Sequence, residues 1–388
     1  MSAAPAERFH ALDFLRGVLM FLGVVLHGGL FFMKGAGAAA WPAREASTSG
    51  FFNLLVGWIH LFRMPAFFLL GGFFGALLWR RYGAGGFLRH RARRLLLPLA
   101  AAWVVLAPVV GLLLSTIGGN RGGEGTAAAG VGMLLRRANL MHLWFLWYLF
   151  LLCLGAWGLL LGLRHLPEGW RQRLAAALEA GLTARYNLVL LVLVTAVTLR
   201  PMQTAAIATG TSLWPRWSIL LAYAVFFAVG WIWQRQERYL ATLSDGWRGR
   251  LLAGVLLGVA STIFSFGTIA TRSRPSFALL LVTAAACWWM ILGLIGLFQR
   301  YCSQPKTYGR YLADASYWVY LVHIPVLLVL ALAFRAWAAP IGLKYLTLVS
   351  VATAVCLATY HVLVQGTFVG TFLTGARTGR EAAGPRVE

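Results

Sequence analysis

The residues able to do chemistry in this chain are few, and they lie where they are least expected. Asp13, Arg16 and His27 fall in one long apolar stretch, His60 and Arg63 in the next, His142 opens another, and His323 and His361 sit in the last two. Ionisable groups at membrane depth are costly and mark function by default. At 100° per residue, Arg16 and His27 are three helical turns and about 20° apart, so they share a face and are separated by ~16 Å of rise. Asp13 precedes Arg16 by one turn and points the same way. His60 and Arg63 are also one turn apart, and Pro65 after them frees backbone carbonyls within the membrane. His142 is followed by Trp144, Trp147 and Tyr148, and Tyr320 and His323 share a face after Ser316 and Tyr317.

The sign of these groups narrows the chemistry. The carboxylates inside apolar stretches, Asp13 and Asp314, lie near the ends of their stretches, whereas a proton- or sodium-coupled transporter usually needs one near the midplane. A cationic interior suits an anionic guest: a phosphate, a thioester oxyanion or a dicarboxylate. An imidazole titrating near neutrality can take the proton of a hydroxyl. Plainer readings compete. His27 alone could be a packing histidine bonded to a carbonyl, Arg16 a snorkelling cation, His142 or His323 a companion of an aromatic belt, and His361 structural. The shared face of Arg16 and His27, and the doubly polar turn beside Pro65, weigh against them.

The elements that must position these residues are transmembrane helices. Of 388 residues 60% are hydrophobic and 12% charged, and the mean hydropathy of +0.73 is too high for a soluble domain of this size. Apolar runs of about twenty residues, each able to cross a hydrocarbon core of roughly 30 Å, recur at 11–33, 51–79, 95–117, 139–163, 186–204, 217–234, 251–271, 277–299, 311–334 and 344–366. The expected fold is therefore all-α, a polytopic bundle of about ten transmembrane helices. Residues 1–370 form the membrane domain and 371–388 a short cytoplasmic tail expected to be disordered. The first run is too long for a signal-peptide core and carries Arg16 and His27, so it is expected to be retained.

The net charge of +23 would suggest nucleic acid in a soluble protein, but here it reports topology. Outside the spans, 21 Lys and Arg lie on the side of the termini and 11 opposite, which puts both termini in the cytoplasm and implies no nucleic-acid partner. Four Cys show no CxxC spacing, so no metal site is expected. Leu174, Leu178 and Leu182 would give residues 171–182 a membrane-facing stripe. Gly71 and Gly75 form GxxxG, usually a helix-packing device. The glycines after Met33 follow a membrane helix instead of a strand, so they are no dinucleotide loop. No GxSxG, Walker A or HEXXH string occurs.

These residues carry a resemblance to a known family. Leu12-Asp13-Phe14-Leu15-Arg16-Gly17 leading to His27 reproduces an Arg-x10-His signature, and His60 to Pro65 continues into Phe67-Phe68-Leu69-x-Gly71-Gly72. Arg93-Arg94-Leu95 to Pro98, His142-Leu143-Trp144-Phe145-Leu146 and Ser316-Tyr317-Trp318-Val319-Tyr320-Leu321-Val322-His323-x-Pro325 follow in order. Together they resemble membrane acyltransferase family 3, and within it the branch of periplasmic glucan succinyltransferases. One departure is Gly72, where related chains often have Ser.

The resemblance implies an O-acyltransferase of the bacterial inner membrane that takes acyl-CoA, succinyl-CoA among the candidates, from the cytoplasm to a periplasmic carbohydrate across the lipid bilayer. His27 would be the base, with His60 and Arg63 beside it as catalytic groups and Arg63 on a carboxylate or oxyanion. Arg16, Arg93 and Arg94 would meet the donor, and Asp13, Arg16, His142, Trp144, Tyr320 and His323 would line the substrate path. The competing function is a transporter or flippase of an anionic glycan or lipid. A lipid-linked glycosyltransferase would want an acidic base at the outer face, where only Glu45 and Glu124 stand in loops. The acyl group, the acceptor and the oligomeric state are not readable from these residues.

Overall fold

A computed structural model describes residues 9–35, 41, 43–118, 132, 138–184, 186–271, 273–305 and 307–374. Regular structure among them is helical, with one isolated β-bridge between Asn139 and Ser212. The chain runs through α1 (His10–Leu30), α2 (Gly50–Arg91), a wide π-helical turn (Ala92–Leu96), α3 (Leu97–Gly118) and α4 (Trp144–Leu163). It continues through α5 (Glu168–Thr183), α6 (Asn187–Leu199), α7 (Trp217–Trp233), α8 (Glu237–Thr242) and α9 (Trp247–Ala270). The last elements are α10 (Phe277–Cys302), α11 (Thr307–Ala333), α12 (Ile341–Leu363) and α13 (Phe368–Thr374).

Each of the ten expected spans falls on a helix, but length and apolarity alone qualify seven stretches, or eight if a bent pair is counted as one. Three local features make the difference. The expected break at 80–94 is helical: α2 extends to Arg91, bent where Gly83 takes φ 65°, and the π turn joins it to α3 in one 68-residue stretch. The span expected at 186–204 ends at Leu199, leaving 13 residues, and α5 meets it at 99°. Finally, α7 has 17 residues. Helix starts follow ordinary capping: Ser49 accepts from Phe51 N–H before α2, and Ser276 from Leu279 N–H before α10.

Small residues set the closest helix contacts. A side chain at Gly72 would run into the Phe227 carbonyl, and one at Gly230 into that of Leu69, so α2 and α7 touch backbone to backbone. Gly72 is thus required by packing, which gives the departure at that position a physical cause. On α1, a Cβ at Gly17 would lie 3.3 Å from Ala313 Cα of α11. The expected stripe on α5 is shifted by one turn: Trp170, Leu174 and Leu178 are exposed while Leu182 joins the core. The expected tail begins with α13, and 375–388 lie outside the described residues.

Candidate active site

The bundle has a near end, where α1 starts, and a far end, where α1 stops. A cavity of about 490 Å³ opens toward the far end and is lined by His27 of α1, His60 and Arg63 of α2, His142, Trp144 of α4, and Tyr320 and His323 of α11. Residues from four separate segments, α1, α2, the start of α4 with the turn before it, and α11, therefore converge. Apolar side chains such as Met20, Met64, Phe67 and Phe145 complete the wall, so the polar groups act in a poorly hydrated space where each interaction is strong.

The hydrogen bonds decide which imidazole nitrogen is free. His323 Nδ1 lies 3.0 Å from the Val319 carbonyl and 2.8 Å from that of Tyr320. Carbonyls only accept, so Nδ1 must carry the proton and, in the neutral ring, Nε2 must accept. Its partner is His27 Nδ1, 3.0 Å away, which also donates to the Gly23 carbonyl at 2.8 Å. With its proton on Nδ1, neutral His27 keeps a lone pair on Nε2, the form a general base needs.

Arg63 is 9% exposed and its Nε has no hydrogen-bond partner. Its Nη1 lies so close over Gly23 that a side chain there would displace it, and His323 Nε2 flanks the same spot. None of the described residues lining the cavity is acidic, so the Arg63 guanidinium has the chemistry to receive an anionic group.

His60 sits in the cavity wall, but one ring nitrogen is committed: Nε2 donates to the Ile207 carbonyl at 3.0 Å, fastening the segment between α6 and α7 over the cavity. His142 donates from Nε2 to the Leu321 carbonyl at 3.1 Å, while its buried Nδ1 has no partner. Tyr320 Oη donates to the His142 carbonyl at 2.9 Å, and the rings of His142 and His323 pack edge to face at 5.1 Å. Trp144 is buried in the wall.

Arg16 and Asp13 do not reach this cavity. They pair at 3.3 Å and line a second, near-end pocket of about 110 Å³ with His10, Arg310 and Asp314. Among the described residues none lines both pockets; the buried Leu19 and Met20 lie along α1 between Arg16 and His27. The face shared by Arg16 and His27 is therefore interrupted by an apolar layer. Arg16 also lies 5.3 Å over the Phe74 ring. Arg93 is exposed, and Arg94 donates to the Leu373 carbonyl at 2.6 Å, holding α13. Arg91 is the buried cation of that cluster, with Nε unpartnered. His361 is exposed.

Four cavity residues escaped the sequence reading: Trp41, Asn139, Thr209 and Thr211. All stand in irregular segments, where no periodicity marks a facing side. Trp41 is the most telling, since its ring centroid lies 6.4 Å from that of His27 and its buried Nε1 has no partner.

Residues 9–361 match the family profile described as "Acyltransferase domain" (acyltransferase family 3). Among curated relatives, the chain is 25% identical to "Glucans biosynthesis protein C" of Salmonella schwarzengrund over 344 residues, 88% of this chain and 86% of that one. It is 25% identical to the protein of that name from Salmonella typhimurium over 353 residues, with the same coverage. No solved structure matches the chain.

Proposed function

The chain belongs to acyltransferase family 3, and from that premise we propose that this multi-pass membrane acyltransferase moves an acyl group from cytoplasmic acyl-CoA to a hydroxyl of a periplasmic glucan. The glucan is suggested by the printed name of the curated relatives. The observation that carries the mechanism is the fixed direction of the His323–His27 hydrogen bond, which leaves His27 Nε2 unprotonated at the cavity.

In this reading His27 Nε2 takes the proton of the acceptor hydroxyl as its oxygen attacks the thioester carbonyl. The carbon–sulfur bond then breaks, and the departing thiolate of coenzyme A receives that proton from His27. The imidazolium formed in between keeps its hydrogen bonds to Gly23 and His323, so the ring need not reorient. Arg63 supplies the positive charge, either to the tetrahedral oxyanion or to a carboxylate at the far end of a succinyl group. At the near end Arg16 and the arginines around Arg91 meet the donor's phosphates, and its long arm spans the ~16 Å of rise to His27. The reading takes ten spans in the inner membrane with both termini in the cytoplasm, supported by the excess of Lys and Arg on the side of the termini.

The test is mass spectrometry of cell-envelope glucan from cells with the wild-type gene, the deletion and the His27→Ala variant. Acyl substituents present only with the wild type support the proposal. Substituents persisting in His27→Ala, with the protein expressed, overturn it.

A further inference from the structure

We infer that the outer part of the cavity is a pyranose subsite, in which Trp41 stacks on a sugar ring of the acceptor while its indole N–H donates to a ring substituent. This rests on the acyltransferase reading, but its evidence is separate. Trp41 lines the cavity beside His27, with ring centroids 6.4 Å apart and planes tilted by 40°. The indole is braced edge-on by Phe31 at 5.6 Å. Its Nε1, a donor only, is buried without an acceptor, a cost that native proteins rarely leave standing unless a ligand relieves it.

Elsewhere the cavity supplies what a sugar needs. Asn139, Thr209 and Thr211 line it, giving two hydroxyls that donate and accept as sugar hydroxyls do and an amide whose oxygen accepts from Met141 N–H at 2.8 Å and whose NH2 can donate. A flat aromatic face with a few convergent neutral polar groups is suited to a polyhydroxylated ring and poorly suited to a lipid chain.

The segments carrying these residues are irregular yet fastened. Leu140 N–H donates to the Thr211 carbonyl at 2.6 Å and Leu213 N–H to the Ala138 carbonyl at 3.1 Å. Trp103 Nε1 donates to the Asn139 carbonyl at 2.9 Å, and His60 to Ile207 at 3.0 Å. On the Trp41 side, Glu45 N–H donates to the Phe31 carbonyl at 2.9 Å, and the Glu45 carboxylate pairs with Lys344 at 2.7 Å. Ordered non-helical backbone is retained in a membrane protein where it lines a cavity, and preorganisation of this kind lowers the cost of binding.

Equilibrium binding of a radiolabelled glucose tetrasaccharide to the full chain in lipid nanodiscs, without acyl donor, tests the inference apart from the chemistry. Wild type and His27→Ala should both bind saturably. Trp41→Ala should weaken binding roughly tenfold, and Trp41→Phe, which keeps the stack and loses the N–H, by a smaller factor. Thr209→Val, at a position that also lines the cavity, should weaken it as well. Absence of saturable binding to wild type, or equal affinity in Trp41→Ala and Trp41→Phe and wild type, would overturn the subsite. Binding that obeys these expectations in a protein that transfers no acyl group would sink the enzymatic reading and leave the subsite standing.

Discussion

His323 Nε2 lies 3.0 Å from His27 Nδ1, and the two backbone carbonyls behind His323 force it to accept. In the proposed mechanism His323 is thus a positioning residue that would set the tautomer of His27. His323→Ala should lower kcat for acyl transfer about a hundredfold, with the KM for acyl-CoA little changed, while His27→Ala removes transfer. Steady-state kinetics of the purified variants checks this. Wild-type kcat in His323→Ala would show that the bond only packs the helices.

Arg63 sets stability against activity. A buried guanidinium whose Nε has no partner among the described residues is costly, so Arg63→Met should raise the thermal midpoint by a few degrees, about 1 kcal/mol or more. The same change should abolish transfer. Melting of the detergent-solubilised variant measures the first and mass analysis of glucan the second; a lowered midpoint would mean that Arg63 already has a compensating partner.

His60 acts through the segment it holds. Because its Nε2 donates to Ile207, His60→Ala should loosen the stretch between Arg200 and Arg216 and speed tryptic cleavage after Arg216, with kcat reduced by no more than about tenfold. If turnover fell a thousandfold while the cleavage rate stayed fixed, His60 would instead belong to the chemistry.

The Glu45–Lys344 pair is nearly buried, with side-chain exposures of 11% and 9%. Removing one partner strands a charge, so Glu45→Gln and Lys344→Met should each destabilise the fold by ~3 kcal/mol, and the double variant by clearly less than the sum. Denaturation of the four proteins closes the cycle; additive losses would show that the two groups do not interact.

The convergence of His27, His60, Arg63, His142, Trp144, Tyr320 and His323 was legible in the sequence because helical periodicity fixes which side chains face inward. The interruption between Arg16 and His27 was not. Two residues can share a helix face and still be separated by buried side chains such as Leu19 and Met20, because phase says nothing about what a neighbouring helix fills in. The loop-borne residues Trp41, Asn139, Thr209 and Thr211 were invisible for the complementary reason that irregular backbone has no phase. Gly72 illustrates a third limit: its need for close approach comes from the backbone of Phe227, 155 positions away in the numbering.

The apolar layer around Leu19 and Met20 has an electrical consequence. A wet corridor from one pocket to the other would let protons run down the membrane potential, which drives each elementary charge with about 2.3 kcal/mol per 100 mV. Buried apolar side chains at that level oppose such a leak, and in the proposed mechanism they would have to part for the donor's thin arm and reseal behind it.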